Sequence, residues 1–145
     1  MDQPVSSTLE FRFFIHIEVR YSDIDAMNHA NNAVYFTYLE QARFHYLKHL
    51  DLIGSDVSNP GFVIAEACCT FKQPIFLGQN IIARIRATEL KNSSFAFEYS
   101  LDDVDTGRVL ATGRTVQVCY DYESNKPIPI PYEWRARIEA FESGR

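Results

Sequence analysis

The sequence predicts an α+β domain in which a curved antiparallel sheet wraps one long central helix and a short helix closes the chain. Three observations lead there. Tyr35, Leu39, Ala42, Tyr46 and Leu50 recur at steps of three or four, which is the period of one helix face. Four later segments alternate or run apolar at strand length with no helical period between them. A proline-rich stretch, NKPIPIP, then introduces a final helical segment.

Taken in order, residues 1–7 read as a loose tail, and Arg12 to Tyr21 reads as a strand. The polar stretch Ser22 to Asn32 follows. The long helix runs from about Ala33 to Leu50, capped by Asn31 or Asn32, with Gly54 just past its end. Val34, Phe36, Tyr38 and Leu47 widen its apolar face, so the helix should be wrapped rather than laid on a surface. Phe62 to Lys72 is the next strand, followed by a turn near Leu77-Gly78. Ile81 to Leu90 sets Ile81, Ala83, Ile85 and Ala87 against Arg84, Arg86 and Thr88. Phe95, Phe97, Tyr99 and Leu101 form one face of the following strand, and Val109 to Tyr120 is the last long one. The LKNSS and DDVDTGR segments between them read as hairpin turns. With no helix separating them, the last four strands should pair as an antiparallel meander. The short helix spans about Tyr132 to Phe141. No internal repeat or linker divides the chain, so residues 1–145 form one domain.

Composition narrows the function. With 145 residues, 46% hydrophobic and 23% charged, the chain can build a real core. Its net charge of −5 argues against nucleic acid as a partner, and no segment approaches the length of a membrane span. The acidic start lacks a signal-peptide core, and Cys68, Cys69 and Cys119 lack disulfide or CxxC spacing. They read as small buried thiols, and the expected compartment is the cytoplasm.

The chemistry gathers in RYSDIDAMNHANNAVYFTYLEQAR, Arg20 to Arg43. Two aspartates, three asparagines and a histidine precede the buried helix, more polarity than one cap requires. The start of a helix offers unpaired amides and a partial positive charge, which suit an anion or a carbonyl that becomes one. A carboxylate beside such amides is half of an acyl-transfer site. His29 is a second candidate. Glu40 either pairs with Arg43 or Arg20 or points into a pocket. His45 and His49 have the i, i+4 spacing of some zinc pairs but lack a third ligand pattern, so no metal is expected. A serine elbow, P-loop and dinucleotide fingerprint are absent from the sequence.

The stretch from Asp23 to Arg43 resembles the signature of the 4-hydroxybenzoyl-CoA thioesterase family, D-x-D-x-x-G-H-x-N-N-x-x-Y-x-x-Y-x-E-x-A-R, without a gap. Plant acyl-carrier-protein (ACP) thioesterases carry a similar motif. The resemblance implies a hotdog fold, a dimer or tetramer, and hydrolysis of acyl-CoA to acid and CoA without cofactor. It implies Asp25 as the catalytic carboxylate, acting as general base or nucleophile, and the Asn32 amide as the donor to the thioester oxygen. His29 and Glu40 complete the catalytic candidates. Asn28, Tyr35, Lys91 and Ser94 are the substrate-binding candidates. Asn28 stands where the family has glycine, and Lys91 is the lone cation at a hairpin that is basic in relatives. Arg84, Arg86, Arg114 and Lys126 are substitutes for it. An acyl-ACP substrate, and a non-catalytic acyl-thioester binder, are the alternatives.

Overall fold

The computed structural model describes residues 11–53 and 61–144; the tail at 1–7 and Gly54 lie outside these. Strand β1 is Phe13–Ile17, and a single 3-10 turn, Tyr21–Asp23, leads towards helix α1, Asn32–His49. Strands β2 (Phe62–Phe71), β3 (Ile81–Thr88), β4 (Ser94–Asp103), β5 (Val109–Asp121) and β6 (Lys126–Pro127) follow, and helix α2, Tyr132–Glu142, ends the chain.

The sheet is antiparallel in the order β1-β3-β4-β5-β2, with β6 paired to the end of β5. The meander therefore holds for β3, β4 and β5 but not for β2. That strand crosses over to the far side of β5, with Phe62 opposite Cys119 and Phe71 opposite Ala111. The connection over 72–80 is long enough to reach the other edge, whereas the tight hairpins after β3 and β4 are not. As an edge strand, β2 is largely exposed, which leaves Cys68 at the surface rather than buried; Cys119, on central β5, is buried.

Helix α1 lies across the sheet. Tyr35, Tyr38, Leu39, Ala42, Tyr46 and Leu47 are buried on one side, against Phe95, Phe97, Tyr99 and Leu101 of β4 and Ile81, Ala83 and Ile85 of β3. Gly113 on β5 permits this approach, because a Cβ there would stand 2.7 Å from Leu39 Cδ1. Wrapping is one-sided within a single chain: Phe36 and Phe44 on the opposite face stay about two-fifths exposed.

The helix ends at His49, one residue from the expected Leu50. Leu52 N donates to Leu47 O and Asp51 N to Lys48 O, with Asp51 in the left-handed region at φ 58°. This is a Schellman closure on an aspartate. Arg137 of α2 also donates to the carbonyls of Leu50 and Asp51, at 3.2 and 2.8 Å. Glu142 fastens α2 to the rest, accepting from Tyr46 Oη at 2.6 Å and Ala87 N at 2.9 Å. Burial and then Glu142 push the Tyr46 phenol upward, so it remains a donor. Neither helix is long and apolar enough to cross a membrane.

Candidate active site

The segment before α1 is built as a small hairpin. Ile24 bridges Ala30, Asp25 N donates to His29 O, and Asn28 N donates to Asp25 O. This is a type I turn followed by a left-handed residue, and that residue is Asn28, at φ 71°. Asparagine tolerates the left-handed region better than most residues, so its place in a glycine position is explained by the backbone. Asp25 Oδ1 accepts from Met27 N at 2.8 Å, which fixes the carboxylate at the turn.

Asp23 and Asp25 do different work. Asp23 is buried and accepts four hydrogen bonds: from Arg20 N (2.9 Å), Arg20 Nε (3.0 Å), Arg20 Nη2 (2.7 Å) and Tyr38 Oη (2.8 Å). Burial alone would raise its pKa and is the largest single influence. The bonds from Arg20 and Tyr38 together outweigh it and hold the carboxyl below its usual range. Asp25 is only partly buried, and among the described residues no basic side chain forms an ion pair with it.

The start of α1 faces the same end of the molecule. Asn31 caps the helix, its side chain accepting from Ala33 N at 2.8 Å, while Val34 N donates to Asn31 O. Asn32 N, the first amide of the helix, has no acceptor among the described residues. The loop over 73–79 lies alongside. Ala30 N donates to Ile75 O at 2.7 Å, and Tyr35 Oη donates to Gln73 O at 3.1 Å. His29 is half-buried, with Nδ1 3.3 Å from Ala30 O and its ring edge-on to Phe76. Tyr35 is buried with its hydroxyl committed to the loop, and burial raises its pKa.

Asp25, Asn28, His29 and Asn32 thus share one end of α1, with Tyr35 beneath them. Glu40 is separate. It lies two turns along the helix, roughly 12 Å of axial rise, and pairs with neither of its expected partners. Arg20 is taken by Asp23, and Arg43 Nη1 donates to Tyr99 Oη at 3.2 Å. Glu40 and Arg43 instead line two adjoining grooves on the open face of α1, of about 590 and 210 Å3. Phe44, Leu47, Phe62 and Ile64 wall the larger one. Phe62 is therefore a groove wall, whereas Phe95 and Phe97 are plain core.

Lys91 and Ser94 stand at the opposite end. Lys91 N donates to Ser94 O, closing the β3–β4 hairpin, and Arg135 of α2 donates to Lys91 O. From Ser94, β4 runs ten residues to Asp103, about 30 Å at ~3.3 Å per residue. The far end of β4 meets the 73–79 loop, where Gln79 Nε2 donates to Asp103 Oδ2 at 3.1 Å. One chain cannot bring Lys91 to Asp25.

The sheet arginines are engaged elsewhere: Arg84 with Asp102, Arg86 with Glu98, and Arg114 with Glu66 and Glu89. Burial pushes the thiols of Cys69 and Cys119 up to about 11, which disfavours both as nucleophiles. Among the described residues, no group of three or more His, Cys, Asp or Glu side chains is placed to hold a metal ion.

A curved antiparallel sheet laid over one long central helix is the frame of a hotdog protein. The sequence profile of the Thioesterase-like superfamily matches residues 19–138, and the chain belongs to that superfamily. It is 26% identical over 124 residues to the long-chain acyl-CoA thioesterase FadM of Escherichia coli (strain K12), covering 85% of this chain and 94% of that protein. Among solved structures it is similar to a thioesterase of Thermus thermophilus complexed with coenzyme A and Zn. That match has TM-score 0.82 and 30% identity, over 94% of this chain and 98% of the other. It also matches BH1999, a gentisyl-coenzyme A thioesterase, at TM-score 0.77 and 29% identity, over 88% of this chain and 99% of that one.

Proposed function

We propose that this protein hydrolyses acyl-CoA thioesters to free acid and CoA. The observation that carries the proposal is the pairing of an amide without an acceptor, Asn32 N, with a carboxylate without a counter-ion, Asp25, at one helix start among the described residues. A thioester needs little besides these. Its leaving thiol has a pKa of ~8.5 and departs as thiolate without an acid. Asp25 takes the proton of the attacking water, or attacks the carbonyl itself to form a mixed anhydride that water then opens. The Asn32 amide and the positive end of α1 hold the oxyanion, which collapses to expel sulfur. His29 borders the site, and Asn28 sets its backbone. No step calls for a cofactor.

The acyl group takes the apolar groove beside Phe44, Leu47 and Phe62. That groove is open on one side, and β2 presents an edge with no partner strand among the described residues. Both features favour a homodimer, or a tetramer of two such pairs, in which a second chain closes the groove and supplies its Glu40 or Lys91 to this chain's Asp25. Among the described residues no helix is of membrane length and the three thiols lack disulfide partners, in keeping with a cytoplasmic enzyme.

A thiol-release screen over short, long and aromatic acyl-CoAs tests the reading, and turnover of at least one class is the expected outcome. The same acyl group on CoA and on a carrier protein separates the acyl-ACP alternative. Saturable binding with no thiol released across the panel would identify a non-catalytic binder instead.

A further inference from the structure

A third groove, of about 400 Å3, lies between the 73–79 loop and the β4–β5 hairpin, lined by Gln73, Phe76, Gln79, Thr106, Arg108 and Leu110 among others. It adjoins the proposed catalytic end. Phe76, one of its walls, is the ring that touches His29, and the Gln73 carbonyl is the acceptor of Tyr35. Its shape is braced from within: Gln79 Oε1 accepts from Phe76 N at 2.7 Å, and Gln79 Nε2 donates to Asp103. The second Asp103 oxygen accepts from Asp105 N at 2.9 Å, so this buried carboxylate is already satisfied. The Gln73 side chain and the Arg108 guanidinium, by contrast, have no partner among the described residues.

We propose that this groove seats the phosphopantetheine arm of the thioester, with Gln73 and Thr106 meeting its amides and Arg108 its first phosphate. The inference rests on the thioesterase reading. The wall fits a neutral, amide-bearing arm, being apolar at Phe76 and Leu110 with neutral hydrogen-bonding groups at Gln73 and Thr106. Charge then limits how far recognition extends. Among the described residues the groove has one cation, Arg108, and Asp103 and Asp105 stand on the same hairpin. One guanidinium can take one phosphate, and the acidic surroundings disfavour a second or third. Recognition therefore stops where CoA and a carrier-protein arm still share the same chemistry, and the adenosine end of CoA contributes little. The hairpin that is basic in relatives, here with Lys91 alone, has no part in this.

One acyl group is presented on N-acetylcysteamine, pantetheine, 4′-phosphopantetheine and CoA, with wild type, Arg108→Ala, Arg108→Glu and Lys91→Ala compared. For wild type, kcat/KM should rise about tenfold at the step that adds the phosphate and change less than about threefold from there to CoA. Arg108→Ala should abolish the phosphate step while leaving turnover of the pantetheine thioester intact, and Arg108→Glu should invert it. Lys91→Ala, whatever its overall turnover, should keep the wild-type ratio of kcat/KM between the 4′-phosphopantetheine and pantetheine thioesters. A phosphate step that survives in Arg108→Ala, or one lost in Lys91→Ala, would overturn the assignment. If wild type hydrolyses no thioester, the function proposed above fails. Calorimetric CoA binding to wild type and Arg108→Ala then decides the groove: about tenfold weaker binding in the variant supports it, and equal binding overturns it.

Discussion

Asp23 and Asp25 are two residues apart and meet different ends because only one of them is buried among donors. Asp23 joins the 3-10 turn to α1 through Arg20 and Tyr38. Asp23→Ala would leave Arg20 and the buried Tyr38 hydroxyl without an acceptor, and should cost roughly 3 kcal/mol in denaturant unfolding. The sign of its pH dependence follows from its lowered pKa. The folded state holds the proton more weakly than the unfolded chain, so the stabilisation is complete above the unfolded value of ~3.9 and fades as pH falls through the folded one. Acid titration of stability should be shallower for Asp23→Ala than for wild type, and equal slopes would remove Asp23 from the account. Asn28 makes the second test at this scale. Asn28→Gly keeps the left-handed turn and should retain folding and activity. Asn28→Ala puts alanine at φ near 71°, should lose about 1 kcal/mol in thermal unfolding, and should lower kcat by shifting Asp25. The motif resemblance singled out Asp25 in this cluster, but the burial that separates Asp23 from it was not legible. The separation depends on Tyr38, fifteen residues on, and no local spacing encodes that contact.

Among the elements, α1 organises both the core and the site, and it could be read in advance because its apolar residues keep a helical period along its whole length. Its limits, expected at about Ala33 and Leu50, were legible to within a residue, but the device that closes it was not. The closure at Asp51 is a left-handed aspartate, where glycine is the usual signal, and the search for glycine pointed past it. The position of β2 was invisible to periodicity, since strand order is set by connection length and by which edge is free, not by the strand's own alternation. The close seat of α1 on β5 was equally hidden, because one glycine in a long strand announces nothing. Gly113→Ala tests that seat. Its Cβ would meet Leu39 at 2.7 Å, and helix or side chain must shift, at a cost of roughly 1–3 kcal/mol in unfolding experiments. An unchanged melting temperature would mean that Leu39 yields freely.

At the scale of the whole molecule, the candidate site residues are spread along a single chain. Asp25 and Asn32 lie at one end, Lys91 and Ser94 at the other, and Glu40 on an open groove between them. In the Asp23 to Arg43 motif, Asp25, Asn32 and Glu40 are neighbours in a line, and folding distributes them along the length of a helix. On the proposed reading a second copy against the open face of α1 and the edge of β2 would reunite them, so a dimer in sedimentation equilibrium is the predicted state. Phe44→Glu in the groove should favour monomer and reduce turnover together. A monomeric wild type with full activity would show that one chain suffices.

The central claim is that Asp25 drives the attack on the thioester. Asp25→Asn tests it most directly, because asparagine keeps an oxygen for Met27 N and preserves the turn while removing the base. Thiol release from the best acyl-CoA should fall about 10³-fold, with the melting temperature unchanged. Release within about tenfold of wild type by a well-folded Asp25→Asn protein would contradict the account.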